Sequence, residues 1–343
     1  MNNTTIGVDL AKDVIQVCVF SQQKIISNTE MNVADFAIWL TQRKPSTIVF
    51  EACGTSNYWK QKATSLGHTV HLISAKLVNV VRQQQKNDKN DALAIVQASH
   101  LPNVKFIKGK TLEQQQLQSL IRIRDLAVKQ KTAIKNQIKA LLLELNIRVS
   151  TKNGGLNGTI QLVLEDAENG CAMYFRQAIS TVWKTYLQLC QSVSKYDKVI
   201  ERAIRKSPEC KRLIQLEGVG PINAINLYLA IGCSDSMVFK QGKDVSACIG
   251  LTPVQHSSGG KTKLGKISKN IRNQMLRSQL VTGAFTFVNS IAKKEAKTEK
   301  ERWLKNLIDR KGKKCASVAL ANKTVRTAFS MITKNTEYKV TPV

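Results

Sequence analysis

Thr5-Ile6-Gly7-Val8-Asp9-Leu10 reads as an apolar strand with a carboxylate at its C-terminal end. Thr47-Ile48-Val49-Phe50-Glu51 repeats the pattern. In an open α/β sheet, a side chain at the C-terminal end of a buried strand points into the crevice where ligands bind. A third stretch, Lys86-Asn87-Asp88-Lys89-Asn90-Asp91-Ala92, stands at the mouth of an expected helix. Its two aspartates are three residues apart, on one helical face. Four converging carboxylates repel one another unless cations lie between them. Hard oxygen donors suit Mg²⁺ or Mn²⁺. Two such ions about 4 Å apart can activate a nucleophile and stabilise the leaving oxygen of a phosphodiester. A lone aspartate at a strand end is ordinarily a cap or a turn residue. The conjunction of Asp9, Glu51, Asp88 and Asp91 is what marks a candidate nuclease-type site.

Outward from the first strand, Val14-Ile15-Gln16-Val17-Cys18-Val19-Phe20 is rich in β-branched residues and predicts a second strand, with a third over 24–29. Residues 33–43 predict a helix with Phe36, Ile38, Trp39 and Leu40 on its apolar face. The strand ending at Glu51, a helix near 56–66 and the strand His68-Thr69-Val70-His71-Leu72-Ile73 follow. A βββαβαβ order with an acid ending strand one and another ending strand four is the pattern of an RNase H-like fold. Gly7 and Gly54 lie near the acids, and either permit close backbone approach or serve turns.

The charge balance narrows the partners. Fifty-two Lys and Arg against 24 Asp and Glu give a net +28. Such a surplus implies a polyanion, nucleic acid first and an anionic membrane second. No run of about 18 apolar residues predicts a transmembrane helix. The chain enters a strand at once, so no signal peptide is expected. The eight cysteines form no CxxC pair, which argues against zinc and fits a reduced cytosolic compartment. At 343 residues the chain can hold two or three domains.

From Thr111 to about Asn146 the pattern is helical without Gly or Pro, with an apolar stripe from Leu117 through Ile121, Ile138 and Leu142 to Leu145. A helix of about 36 residues spans about 54 Å. It is either a coiled-coil or dimer arm, or a long helix packed within its own domain. A loop at Asn153-Gly154-Gly155 breaks the pattern, and a second helical stretch over roughly 160–206 could fold back on the first.

Leu216-Glu217-Gly218-Val219-Gly220-Pro221 resembles a helix-hairpin-helix, in which Gly218 and Gly220 would let backbone N–H groups approach a DNA phosphate. Two glycines and a proline also make an ordinary turn. The stretch Gly250-Leu251-Thr252-Pro253-Val254-Gln255-His256-Ser257-Ser258-Gly259-Gly260-Lys261 is dense in hydroxyls, glycines and cations. A serine there is a candidate nucleophile toward phosphodiesters if a base or metal activates it. Taken alone, the same stretch is a flexible loop. Residues 261–343 carry 20 Lys and Arg against 5 Asp and Glu with few interleaved aromatics, so phosphate contact outranks base stacking. Apolar runs at 279–292 and 315–332 predict packed helices rather than a solvated tail.

Taken together these segments resemble the DEDD transposases of the IS110 group, IS1111 branch, the bridge-RNA-guided recombinases of bacterial mobile elements. The resemblance runs nearly end to end. Gly7-Val8-Asp9-Leu10-Ala11-Lys12, Glu51-Ala52-Cys53-Gly54 and Asn87-Asp88-Lys89-Asn90-Asp91-Ala92 are similar to the three acidic motifs. Asn136-Gln137-Ile138-Lys139-Ala140-Leu141-Leu142 is similar to the long-helix signature. Gly218-Val219-Gly220-Pro221, Gly250-Leu251-Thr252-Pro253, His256-Ser257-Ser258-Gly259-Gly260-Lys261 and Val318-Ala319-Leu320-Ala321-Asn322-Lys323 complete the set. One departure stands out: the segment after Ile267-Ser268-Lys269 lacks the family's glycine and carries one extra residue.

The resemblance implies an α/β RNase H-like (RuvC-like) domain over 1–108, a helical coiled-coil section over 109–208 and a mainly α transposase domain over 209–343. It implies that Asp9, Glu51, Asp88 and Asp91 hold Mg²⁺ or Mn²⁺. It implies that Ser258, with Ser257 as fallback, becomes joined to a DNA 5′ phosphate. Gly218, Gly220, Lys261, Lys263, Lys266, Lys269 and Arg277 are the candidate nucleic-acid contacts. The implied partners are donor and target DNA, a guide (bridge) RNA from the element and further copies of the chain, as dimer and tetramer. The implied setting is the bacterial cytoplasm at the nucleoid, with no membrane. Two rivals remain: a Holliday-junction resolvase-like nuclease using the same acids and water, and a binding protein that has lost catalysis.

Overall fold

The computed structural model describes residues 4–149, 154–232, 239–267 and 274–342. The N-terminal segment opens with strands β1 (Thr5–Leu10), β2 (Val14–Ser21) and β3 (Lys24–Asn32), then helix α1 (Val33–Gln42). Strand β4 (Thr47–Glu51), helix α2 (Ser56–Ser65), strand β5 (Thr69–Ile73) and helices α3 (Ala75–Val81) and α4 (Asp88–Ser99) follow. The strands form one sheet in the order β3-β2-β1-β4-β5. The first three pair antiparallel, while β4 runs parallel to β1 and β5 parallel to β4. The sequence-predicted order of strands and helices is found here, with α3 added.

Alternation decides which helix covers which face. Ile6, Val8, Ile48 and Phe50 point one way and bury Phe36 and Leu40 of α1 with Trp59 and Ala63 of α2. Gly7, Cys18 and Val49 point the other way, under α4. Gly7 is the point of closest approach. A Cβ there would collide with the carbonyl oxygen of Ala92 and lie 2.7 Å from Val96 Cγ2. Gly54 has no such role, since an added Cβ would meet nothing within 4 Å. Helix α4 starts where Asn87 caps it, its side chain accepting from the Asn90 amide.

Two compact units divide the chain: residues 116–208, and residues 1–115 together with 209–343. The first unit is helical. Helix α5 (Leu112–Glu144) enters it and is followed by α6 (Gly155–Glu165) and α7 (Met173–Lys206). Its core gathers Ile138 and Leu142 of α5, Ile160 and Val163 of α6, and Ile179 and Trp183 of α7. The single helix expected over 160–206 is two helices. Gly170 takes a positive φ of 70° in the break. Arg176 holds the break together, donating to the carbonyl oxygens of Val163, Leu164, Asp166 and Cys171. Ile123, Leu126 and Leu143 of α5 stay exposed, as does Leu145 just after it.

The C-terminal segment contains α8 (Pro208–Ile214), α9 (Pro221–Ile231) and α10 (Gly242–Ile249). Strands β6 (Pro253–Ser258) and β7 (Lys261–Ile267) then precede α11 (Gln274–Ile291) and α12 (Glu299–Lys334), the last interrupted at Gly312. Leu216, Leu227, Val245, Leu280, Leu304 and Leu320 anchor its core. The serine-bearing stretch, expected as a loop in a mainly α segment, is an antiparallel two-stranded ribbon. Its turn is Gly259-Gly260 with φ of 55° and 75°, the left-handed pair that a tight two-residue hairpin requires. The segment after Ile267 that departs from the family's pattern falls largely on 268–273, outside the described residues. No helix among the described residues is long and apolar enough to cross a membrane.

Gly7→Ala is expected to lower the free energy of unfolding by about 1–3 kcal/mol through overpacking. Gly54→Ala should leave it unchanged. Urea denaturation of the two variants beside the parent checks the pair, and an unchanged midpoint for Gly7→Ala would refute the close-approach argument.

Candidate active site

Asp9 stands two residues beyond Gly7 and Glu51 two beyond Val49, and Gly7 and Val49 are partners across the parallel β1–β4 pair. Both carboxylates therefore lie at neighbouring C-terminal strand ends, on the face that α4 covers. Asp88 and Asp91 occupy the first turn of α4. All four acids so belong to one edge of one sheet face. Their charges are mutually felt. Burial raises the Asp9 carboxyl above its ordinary pKa, and the negative charges of Asp91 and Asp88 raise it further. Burial likewise raises Glu51, with Asp9 and Asp91 adding to it, while Lys86 and Arg82 pull it back.

Packing and polar struts hold these like charges together. Asp91 is 8 % exposed and receives Arg82 Nη1 at 2.7 Å. Gln16, directly across from Asp9 on β2, is 2 % exposed. Its side-chain amide donates to Asn28 Oδ1 at 2.8 Å, and the Asn28 amide donates to the Lys89 carbonyl at 3.0 Å. Lys89 lies between the two helix aspartates, so this strut sets the height of α4 above the sheet. Arg82, Gln16 and Asn28 were not among the sequence-derived candidates. Gln16 carried a legible signal, a polar residue at an inward position of an apolar strand.

The donor set fits a hard divalent cation in kind, being all carboxylate oxygen, and in placement, being on one face. The fit is not closed. Among the described residues, no three acidic, histidine or cysteine side chains lie close enough to hold one ion, and Asp91 spends an oxygen on Arg82.

The second group of candidates lies on the ribbon. Ser257, Ser258, Lys261, Lys263 and Lys266 are all exposed on it. The pairs Ser258–Lys261, Ser257–Thr262 and His256–Lys263 fix its register. Gly218 takes a positive φ of 75° and packs on the backbone of Gly283 and Ala284 in α11. Exposed Gly220 leads into α9 with Pro221 in its first turn. The Gly218 turn is thus half-buried against a helix, and its Gly220 end is the more open to a phosphate. Arg277 is half-buried on α11, and Lys269 lies outside the described residues.

The raised carboxyls have a thermodynamic consequence. With Asp9 and Glu51 raised, the folded chain binds protons that the unfolded chain has released. Their contribution to stability therefore falls as pH rises above the ordinary carboxylate range. Asp9→Asn should melt at a higher temperature than the parent in EDTA at neutral pH, and the gap should shrink at mildly acidic pH. Calorimetry at the two pH values checks this, and a lower melting temperature for Asp9→Asn at neutral pH would contradict the mutual repulsion.

Residues 6–147 match the IS110 DEDD transposase family, and residues 210–300 match the family described as "Transposase IS116/IS110/IS902 family". The chain is 33% identical to the "Transposase for insertion sequence element IS1111A" of Coxiella burnetii, over 97% of this chain and 91% of that protein. It is 31% identical to a "Probable family 20 transposase" of Pseudomonas aeruginosa, over 99% of each chain. With the transposase for insertion sequence element IS1328 of Yersinia enterocolitica the identity is 27%, over 98% of this chain and 99% of that protein. Relatedness of this extent, carried by the segments that bear the acids and the serines, means that the chain belongs to the IS110 family of transposases, enzymes that recombine DNA.

Proposed function

We propose that this transposase cuts and rejoins DNA through a covalent 5′-phosphoserine on Ser258, at a site completed by Asp9, Glu51, Asp88 and Asp91. The observation that carries the reading is the convergence of the four acids on one sheet face. The strand order β3-β2-β1-β4-β5 supports an RNase H-like assignment for the N-terminal domain, over 1–108. The four carboxylates would hold Mg²⁺ or Mn²⁺. When bound, such a cation supplies charge stabilisation to the transferred phosphoryl group.

Ser258 Oγ attacks the scissile phosphorus. The bond from phosphorus to the 3′ oxygen breaks, that oxygen leaves with a proton from solvent, and the 5′ phosphate stays on the serine. A 3′ hydroxyl of the joining strand then attacks the phosphoserine, and Ser258 is released. Each step exchanges one phosphate ester for another, so no nucleotide hydrolysis is required. Lys261 and Lys263 share the ribbon face of Ser258 and neutralise phosphate charge there, and Lys266 does so further along β7.

The surplus of 28 positive charges supports binding by backbone contact, with sequence choice delegated to a bridge RNA that pairs with donor and target DNA. The exposed Ile123, Leu126, Leu143 and Leu145 support the 109–208 section as an arm that joins copies into dimers and tetramers.

The test is a labelled duplex carrying the element junction, incubated with the purified protein, its copurified RNA and Mg²⁺. Products run on a denaturing gel with and without protease. A protease-sensitive shifted band is expected, absent in Ser258→Ala and in Asp91→Asn. Free cleaved strands with no adduct, unaffected by Ser258→Ala, would instead assign hydrolysis by water and defeat the serine reading. An adduct that survives Ser258→Ala and vanishes in Ser257→Ala would move the nucleophile by one residue.

A further inference from the structure

A serine hydroxyl is a weak nucleophile until something takes its proton. The register of the ribbon says which side chain is placed to do so. Ser258 pairs with Lys261, Ser257 with Thr262 and His256 with Lys263. Side chains alternate along a strand, so His256 and Ser258 share one face with Lys261 and Lys263. Ser257 belongs to the opposite face, with Gln255, Thr262 and Leu264. There Gln255 Nε2 donates to Ser257 Oγ at 3.4 Å. The two serines, adjacent in sequence, thus stand in different company: one beside an imidazole and two ammonium groups, the other beside an amide, a hydroxyl and an aliphatic chain.

The other three histidines are built into the N-terminal segment. His68 accepts from the Ser46 amide through Nδ1 and contacts the Leu40 carbonyl through Nε2. His71 stacks on Phe106, and His100 Nε2 meets Thr5 Oγ1 at 3.2 Å. His256 has no hydrogen-bond partner among the described residues and stands in the open on β6. Neither β6 nor β7 carries an acidic residue.

Resting on the assignment of Ser258 as nucleophile, we propose that His256 is the general base of the strand-cutting step. As Ser258 Oγ bonds to phosphorus, its proton passes to the neutral imidazole, and the 3′ oxygen departs and is protonated by solvent. In the rejoining step the bond from Oγ to phosphorus breaks, and the imidazolium returns the proton to Oγ. The 3′ hydroxyl that attacks loses its own proton to solvent, so His256 ends each cycle as it began. Lys261, directly across from Ser258, faces the non-bridging oxygens of the same phosphate. Two residues along a strand separate His256 and Ser258 by roughly 7 Å between Cα atoms, a gap that an imidazole and a hydroxymethyl group can close from one face.

The experiment uses the full-length protein with its copurified RNA, the labelled junction duplex and Mg²⁺, under single turnover. Both the rate of adduct formation and the affinity for the duplex are measured. His256→Gln should slow adduct formation by at least about a hundredfold, the usual contribution of a positioned base, with affinity changed less than twofold. Imidazole in the buffer should restore part of the rate to His256→Ala and none to Ser258→Ala. An adduct rate in His256→Gln equal to that of the parent would overturn the proposal while leaving the serine reading intact. So would a loss of rate matched by a loss of affinity, which would make His256 a phosphate contact. Absence of any adduct in the parent would overturn the serine reading itself, and the base with it.

Discussion

The acidic site depends on how closely helix α4 approaches strand β1 at Gly7. With no side chain between them, the carbonyl of Ala92 and the methyl of Val96 sit directly on the strand backbone. That contact fixes the distance from Asp9 to the helix turn bearing Asp88 and Asp91. Burial of the carboxylates, and after it their mutual charge, works against it and raises the Asp9 and Glu51 carboxyls. Close packing of Cys18, Ala92 and Val96, the Gln16–Asn28–Lys89 strut and the Arg82 guanidinium offset the repulsion. A site that holds like charges together against their own field is typical of chemistry that needs them together, and costs stability to maintain.

The two halves of the proposed machinery have opposite mechanical characters. The acids ride on a sheet packed on both faces, where a displacement of one element strains its neighbours. The serine rides on a two-stranded ribbon whose strands are almost wholly exposed. An isolated ribbon of this length is marginally stable by itself, and here its Gly259-Gly260 turn constrains it. Its faces carry hydroxyls, lysines and one histidine, which suit a phosphate backbone better than a protein core. In the proposed reaction the rigid half sets geometry and the exposed half meets DNA.

Elements with strong periodicity were legible in the sequence. Strands β1, β2, β4 and β5, helices α1, α2 and α5, and the helix start at Asp88 all follow from apolar alternation, helical spacing and punctuation. What escaped had weak or contradictory local signals. The ribbon is polar and exposed on both faces, so no alternation marked it as strand. The break between α6 and α7 rests on Gly170 and on one arginine collecting four backbone carbonyls, a tertiary arrangement invisible to propensity. The kink at Gly312 is a positive φ inside an otherwise helical run of lysines and small residues.

Sequence alone determined that four acids stand at strand ends and a helix start, that the chain is strongly basic, and that a serine pair sits in a glycine-rich stretch. Those are properties of composition and spacing. The tertiary structure decided which side of the sheet the acids share, because that follows from the parallel register of β1 and β4 and from the missing side chain at Gly7. It also decided that Ser257 and Ser258 face opposite ways, because a two-residue turn locks the pairing and alternation does the rest. Neighbouring residues in a sequence are interchangeable until a register separates them, and a register exists only when two strands meet.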